Sequence, residues 1–78
     1  MPKLPVLSGK QVIAYLCKHK GFEFRRQSGS HCILKSLDGK RTVPVPFHHE
    51  LDRGTLGSIL DLAGISEDVF IDDWERYY

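Results

Sequence analysis

The sequence predicts an α+β fold in the order helix, three antiparallel strands, helix, with a short third helix at the C-terminal end. Three observations carry that expectation. Apolar residues between Ser8 and Gly21 recur at helical spacing, the period drops to two across residues 22–46 around an Asp38-Gly39 turn signal, and helical spacing returns after Thr55.

In the first element, Val12, Ile13, Leu16 and Cys17 share one face while Lys10, Gln11, Lys18 and Lys20 lie elsewhere. Ser8 is a good N-cap residue and Gly21 a C-terminal stop, so a helix is expected over Gly9 to Lys20. Phe22, Phe24 and Arg26 then alternate with Glu23, Arg25 and Gln27 until Ser28-Gly29 breaks the run, which gives a strand from about Phe22 to Gln27. Two further runs, Ser30 to Ser36 and Arg41 to Pro46, meet across Leu37-Asp38-Gly39-Lys40.

Prolines restrict the register of that hairpin. With a two-residue loop, Leu37 and Lys40 would be the first hydrogen-bonded pair, and alternation would ask Pro44 for an N–H that it lacks. A four-residue loop makes Ser36 and Arg41 the first bonded pair instead. It sets Leu34 opposite Val43, Cys32 opposite Val45, Ile33 opposite Pro44 and His31 opposite Pro46, with both prolines at non-hydrogen-bonded positions. A proline-bearing strand of this kind has nothing paired on its far side, so it is an edge and the strand order is 1-2-3. Cys32, Leu34, Val43 and Val45 then face the helices. His31, Ile33, Lys35 and Thr42 lie on the opposite, open face, where His31 is expected to be exposed near a basic side chain.

Phe47 to Gly54 reads as a loop. Thr55 begins a second helix with Leu56, Ile59, Leu60 and Ala63 on one face, and Gly64 ends it. Ser66 caps a third helix, Glu67 to about Tyr77, whose acids crowd the first turn where the helix dipole favours them. Its stripe of Val69, Phe70 and Trp74 is expected to pack on the domain, because a core this thin needs every large side chain.

At 78 residues, 41% hydrophobic and 27% charged, the chain has room for one domain, 1–78 with its core at about 7–71, and not for a dinucleotide-binding, barrel or kinase fold. No cofactor is expected. No apolar run approaches the roughly 20 residues of a membrane span and no secretory signal is visible, so the chain is read as cytoplasmic with no membrane partner. Cys17 and Cys32 have no CxxC spacing and no further thiols, which argues for two buried, reduced cysteines rather than a zinc knuckle or a disulfide. The net charge of +1 is uneven: ten Lys+Arg against five Asp+Glu up to residue 66, then five acids against Arg76 alone. A basic body suits a polyanion such as RNA, although a solvated surface would look the same.

Helix, three-stranded antiparallel sheet, helix is also the order of double-stranded-RNA-binding folds. With Gly29-Ser30-His31, then Thr42-Val43-Pro44-Val45-Pro46, Gly54-Thr55-Leu56, Ser58-Ile59-Leu60 and Ala63-Gly64-Ile65 in this order and at these separations, the sequence resembles the HicA family of toxin-type mRNA interferases. The resemblance covers roughly residues 7 to 71. It implies a double-stranded-RNA-binding-domain-like fold, cleavage of mRNA, and inhibition by a HicB-like antitoxin protein. It also implies a catalytic histidine at the Gly-Ser-His position, His31. Two positions depart from the family pattern: Ser28, before the motif, and Gly57, after Gly54-Thr55-Leu56, are often basic in the family. Both departures weaken the phosphate contacts that the resemblance implies. Within a helix Gly57 costs about 1 kcal/mol relative to Ala, unless another backbone approaches it closely.

Cutting RNA without a metal needs a base for the 2′-hydroxyl proton, a cation to balance the phosphorane charge and an acid for the 5′ leaving oxygen. Histidine suits both proton steps because its unperturbed pKa of about 6.5 leaves both forms populated near neutrality. Lys35 shares the open face with His31 but lies four residues along, roughly 13 Å, so it can hold a neighbouring phosphate rather than the one being cut. His31 pairs with Pro46, so the chain leaving the third strand brings His48 and His49 toward the same end of the sheet. His48 is the candidate for a second acid or base, since the family often keeps a histidine shortly after its Val-Pro segment; a loop histidine that merely meets RNA or solvent is the plainer reading. Adjacent histidines usually point apart, so His48, His49 and Glu50 are not expected to bind zinc. Lys10, Arg25, Arg26, Lys35 and Arg53, on charge, and Ser30 beside the histidine are the expected RNA contacts. A non-catalytic RNA-binding module of the same fold, and a protein that only binds its antitoxin and helps repress their shared promoter, are the competing readings.

Overall fold

The computed structural model describes residues 4–77. Its elements run α1 (Gly9–His19), β1 (Phe22–Ser28), β2 (His31–Ser36), β3 (Thr42–Pro46), α2 (Arg53–Ala63) and α3 (Glu67–Tyr77), with one antiparallel sheet in the order β1-β2-β3. This layout is compatible with the double-stranded-RNA-binding type. No helix among the described residues is long and apolar enough to cross a membrane.

Ser8 caps α1 through a reciprocal box: its hydroxyl accepts the Gln11 N–H at 3.1 Å, and its own N–H donates to Gln11 Oε1 at 2.9 Å. Gly21, at φ 71°, turns the chain out of the helix into β1.

The β2–β3 hairpin has the register that the prolines require, with Leu34 opposite Val43, Ile33 opposite Pro44 and His31 opposite Pro46. The Ser36 N–H donates to the Arg41 carbonyl at 2.9 Å, and one period past the strands the Phe47 N–H donates to the Ser30 carbonyl at 2.7 Å. The return bond from Arg41 differs from a regular ladder. The Ser36 carbonyl is taken by the Gly39 N–H at 2.8 Å, so Arg41 N–H donates to the Ser36 hydroxyl at 2.9 Å. Asp38 accepts from that hydroxyl at 2.6 Å and from Lys40 N–H at 3.0 Å, which together hold its carboxyl below the usual carboxylate range.

Strand β1 breaks the expected alternation. Phe24 pairs with Leu34 and Arg26 with Ile33, so Arg25 is the extra residue of a β-bulge. Simple alternation would send Arg25 and Arg26 to opposite faces. The bulge instead puts Arg25 and Arg26 together on the open face, beside Ile33, Lys35 and Thr42.

The other face is the core. Leu34, Val43 and Val45 are fully buried against Val12, Tyr15 and Leu16 of α1 and Leu56, Ile59 and Leu60 of α2. Leu7 and Leu51 close one end through an isolated bridge whose Leu51 N–H donates to the Leu7 carbonyl at 2.7 Å. Cys32 is buried, but Cys17 is only partly so; both are free thiols, and burial pushes the Cys17 thiol up.

Helix α3 starts at Ser66, whose hydroxyl accepts the Val69 N–H at 3.2 Å. Its packing face differs from the expected stripe. Phe70 is fully buried and Ile71 and Trp74 pack beside it, whereas Val69 remains 47% exposed because the inward face is centred on the Phe70–Trp74 line. Tyr15 joins α3 to α1: its ring meets Phe70 edge-on at 5.0 Å and its hydroxyl donates to Asp73 at 2.7 Å. Lys20 reaches the same carboxylate at 2.6 Å.

Candidate active site

The Gly29-Ser30-His31 segment has a direct structural meaning. Ser28 and His31 pair across the β1–β2 hairpin, so Gly29 and Ser30 form a two-residue turn. Gly29 has φ 60° and Ser30 does not share a positive φ, the pattern of a type II′ turn with glycine at its first central position. His31 is therefore the first strand residue after a tight turn, exposed on the open face. Among the described residues its ring has no hydrogen-bond partner, which leaves both nitrogens available for proton transfer.

Beside His31 the sheet meets α2 in a hollow of about 530 Å³. The strand side is His31, Pro44 and Pro46, and the helix side is Asp52, Gly54, Thr55, Ser58, Ile59 and Leu62. Thr55, Ser58, Ile59 and Leu62 recur at the i, i+3, i+4, i+7 spacing of one helical face. His31 and Pro46 are a non-hydrogen-bonded pair, the closer kind, which sets that proline next to the histidine in the lining of the hollow.

The start of α2 corrects the expected boundary. The helix begins at Arg53, two residues before Thr55, because Asp52 is its N-cap. Asp52 Oδ1 accepts the Thr55 N–H at 2.7 Å. That bond first, and the Thr55 hydroxyl next, hold its carboxyl below the usual range, so it is ionised at neutral pH. Asp52, Thr55 and Ser58 were not among the site residues expected from sequence, although Thr55 and Ser58 lie in segments that carry the family resemblance. The available signal was an Asp three residues before Thr55, a cap spacing obscured by Gly54.

The expected RNA contacts fall in three further places. Arg25, Arg26 and Lys35 gather with Ile33 and Thr42 around a shallow hollow on the open face, and Arg25 is held at 2.7 Å by Glu23. Lys10 lines a second hollow with Ser8, Phe47, His48 and His49 at the start of α1, where the His48 carbonyl accepts the Gly9 N–H at 2.9 Å. Arg53 lies with Glu50 on the far flank of Asp52. Ser30 sits in the turn beside His31. His31 and His48 thus line different hollows, and the lining of the His31 hollow contains one carboxylate and no lysine or arginine. Gly57 has open space above it, so no backbone approaches there. Among the described residues no three His, Cys, Asp or Glu side chains gather in a group that could hold a metal ion.

Compared with known proteins, the family described as HicA toxin of bacterial toxin-antitoxin matches residues 9–65, from the start of α1 to just past α2, and His31 and its hollow lie within the match. No curated protein and no solved structure matches the chain.

Proposed function

Because the chain belongs to the HicA toxin family of bacterial toxin-antitoxin systems, we propose that it is an endoribonuclease that cleaves mRNA in the cytoplasm without a metal, with His31 as general acid/base, and that a HicB-type antitoxin silences it. The observation that carries this reading is an exposed imidazole without an internal partner, presented by a tight turn in the lining of a hollow.

In the reaction, His31 takes the proton of a ribose 2′-hydroxyl, the 2′-oxygen forms a bond to phosphorus, and the bond from phosphorus to O5′ breaks. The products are a 2′,3′-cyclic phosphate and a 5′-hydroxyl. The leaving oxygen takes a proton from the imidazolium so formed or from a second acid, for which His48 is the candidate. Arg26 and Lys35 on the open face hold neighbouring phosphates, and Lys10 with His48 and His49 extends the track toward α1.

The test is digestion of mRNA by metal-free protein in EDTA, with the product ends identified. Cyclic phosphate ends, and their loss on adding the cognate antitoxin, support the reading. RNA that is bound but never cut would make the protein a binding module.

A further inference from the structure

We infer that the hollow beside His31 is a nucleobase site that selects guanine next to the bond being cut. This rests on RNA being the substrate.

The lining decides between the parts of a nucleotide that could enter. An open helix N-terminus would attract a phosphate, because its unpaired N–H groups and dipole favour negative charge. At α2 the ionised Asp52 already occupies that position and accepts the Thr55 N–H at 2.7 Å, and no lysine or arginine lines the hollow to offset it. A phosphate is repelled there. A neutral, flat group is not: Pro44 and Pro46 on one side and Ile59 and Leu62 on the other give apolar walls, and Leu62 is 48% exposed. The volume of about 530 Å³ falls within the roughly 300–1,000 Å³ of small-ligand sites.

Asp52 also discriminates among bases. A carboxylate only accepts hydrogen bonds, so it suits a base edge that only donates. Guanine offers two adjacent donors, N1–H and the N2 amino group: Oδ2 of Asp52 takes one, and Oδ1, which accepts the Thr55 N–H, has a second lone pair for the other. Cytosine and adenine offer an amino group next to an acceptor. Uracil offers one N–H flanked by two carbonyl oxygens, which the carboxylate repels. The Ser58 hydroxyl on the same helix face remains to serve a second atom of the base. His31, in the same lining, then meets the ribose attached to that base or to its neighbour.

The test uses uncleavable 2′-O-methyl hexauridylate, with one uridine replaced in turn by guanosine, inosine, adenosine or cytidine, titrated into the full chain while the His31 ring signals are followed. Guanosine is expected to bind roughly tenfold more tightly than uridine, the scale of a paired carboxylate contact, with inosine losing part of the gain for want of the N2 amino group. Asp52→Asn keeps a capping oxygen, so it should melt within a few degrees of wild type, yet it should lose the preference for guanosine. Equal affinity for all bases, or a full guanosine preference in Asp52→Asn, overturns the site. So does the absence of any His31 shift with every oligonucleotide, which would leave the hollow to a protein partner. Guanosine preference without cleavage of natural RNA sinks the ribonuclease and keeps the site; cleavage indifferent to neighbouring bases does the reverse.

Discussion

Gly9 and Pro46 are packed backbone to backbone: a β-carbon built on Gly9 would collide with the Pro46 carbonyl oxygen. Pro46 is also the residue opposite His31, so the first turn of α1 braces the strand end that frames the candidate catalytic side chain. A methyl group at Gly9 has no flexible side chain to displace, only main chain. Gly9→Ala should therefore cost about 1–3 kcal/mol or more, lower the melting temperature by roughly 5–20 °C, and reduce RNA cleavage at temperatures where the protein is still folded. Thermal denaturation alongside a cleavage assay checks both; a variant as stable and active as wild type would mean that the contact is slack.

The acidic C-terminal segment is partly structural. Asp73 accepts from Lys20 first and from the Tyr15 hydroxyl second, and both hold its carboxyl below the usual range. A folded value below the unfolded value of about 3.9 means that this stabilisation is fully present above that pH and is lost as pH falls through the folded value. Denaturant unfolding at a series of pH values should thus show stability falling below about pH 4, and falling less steeply in Asp73→Asn. Tyr15→Phe leaves the carboxylate one donor short and should cost about 1–2 kcal/mol at neutral pH, a drop of roughly 5–15 °C in melting temperature.

RNA binding should weaken with salt, because each phosphate neutralised by a cation releases counterion. Arg26→Ala and Lys35→Ala should each reduce the slope of log affinity against log salt by about 0.7 if each side chain holds one phosphate of a single strand. Arg25→Ala should change it less, since Glu23 already engages that guanidinium at 2.7 Å. Affinity measured at four or five salt concentrations decides this, and slopes identical to wild type would remove the open face from the RNA track.

Much of the hairpin was legible because proline removes a donor. Pro44 and Pro46 made a two-residue loop untenable, and the same restriction placed β3 at the edge and His31 on the open face. The bulge in β1 was not legible. Period-2 reading conveys register only where one face is buried, and in β1 only Phe22 is buried, so one inserted residue leaves no trace in the apolar pattern. The site was half legible for a related reason. His31 lies in a local motif, but its neighbours across the hollow come from α2, more than twenty residues along, and their polar face follows from a cap at Asp52 that an adjacent glycine disguised. Val69 and Phe70 are equally apolar, and only the rotation of α3 on Tyr15 decides which one is buried.

Proton transfer by the His31 imidazole is tested by cleavage of one RNA in EDTA by wild type and His31→Ala at equal concentration. Because the side chain is exposed and without an internal partner, the substitution should leave the melting temperature within a few degrees of wild type. The expected result is a folded variant that produces no cut ends. A folded His31→Ala protein that cuts RNA at the wild-type rate would contradict it.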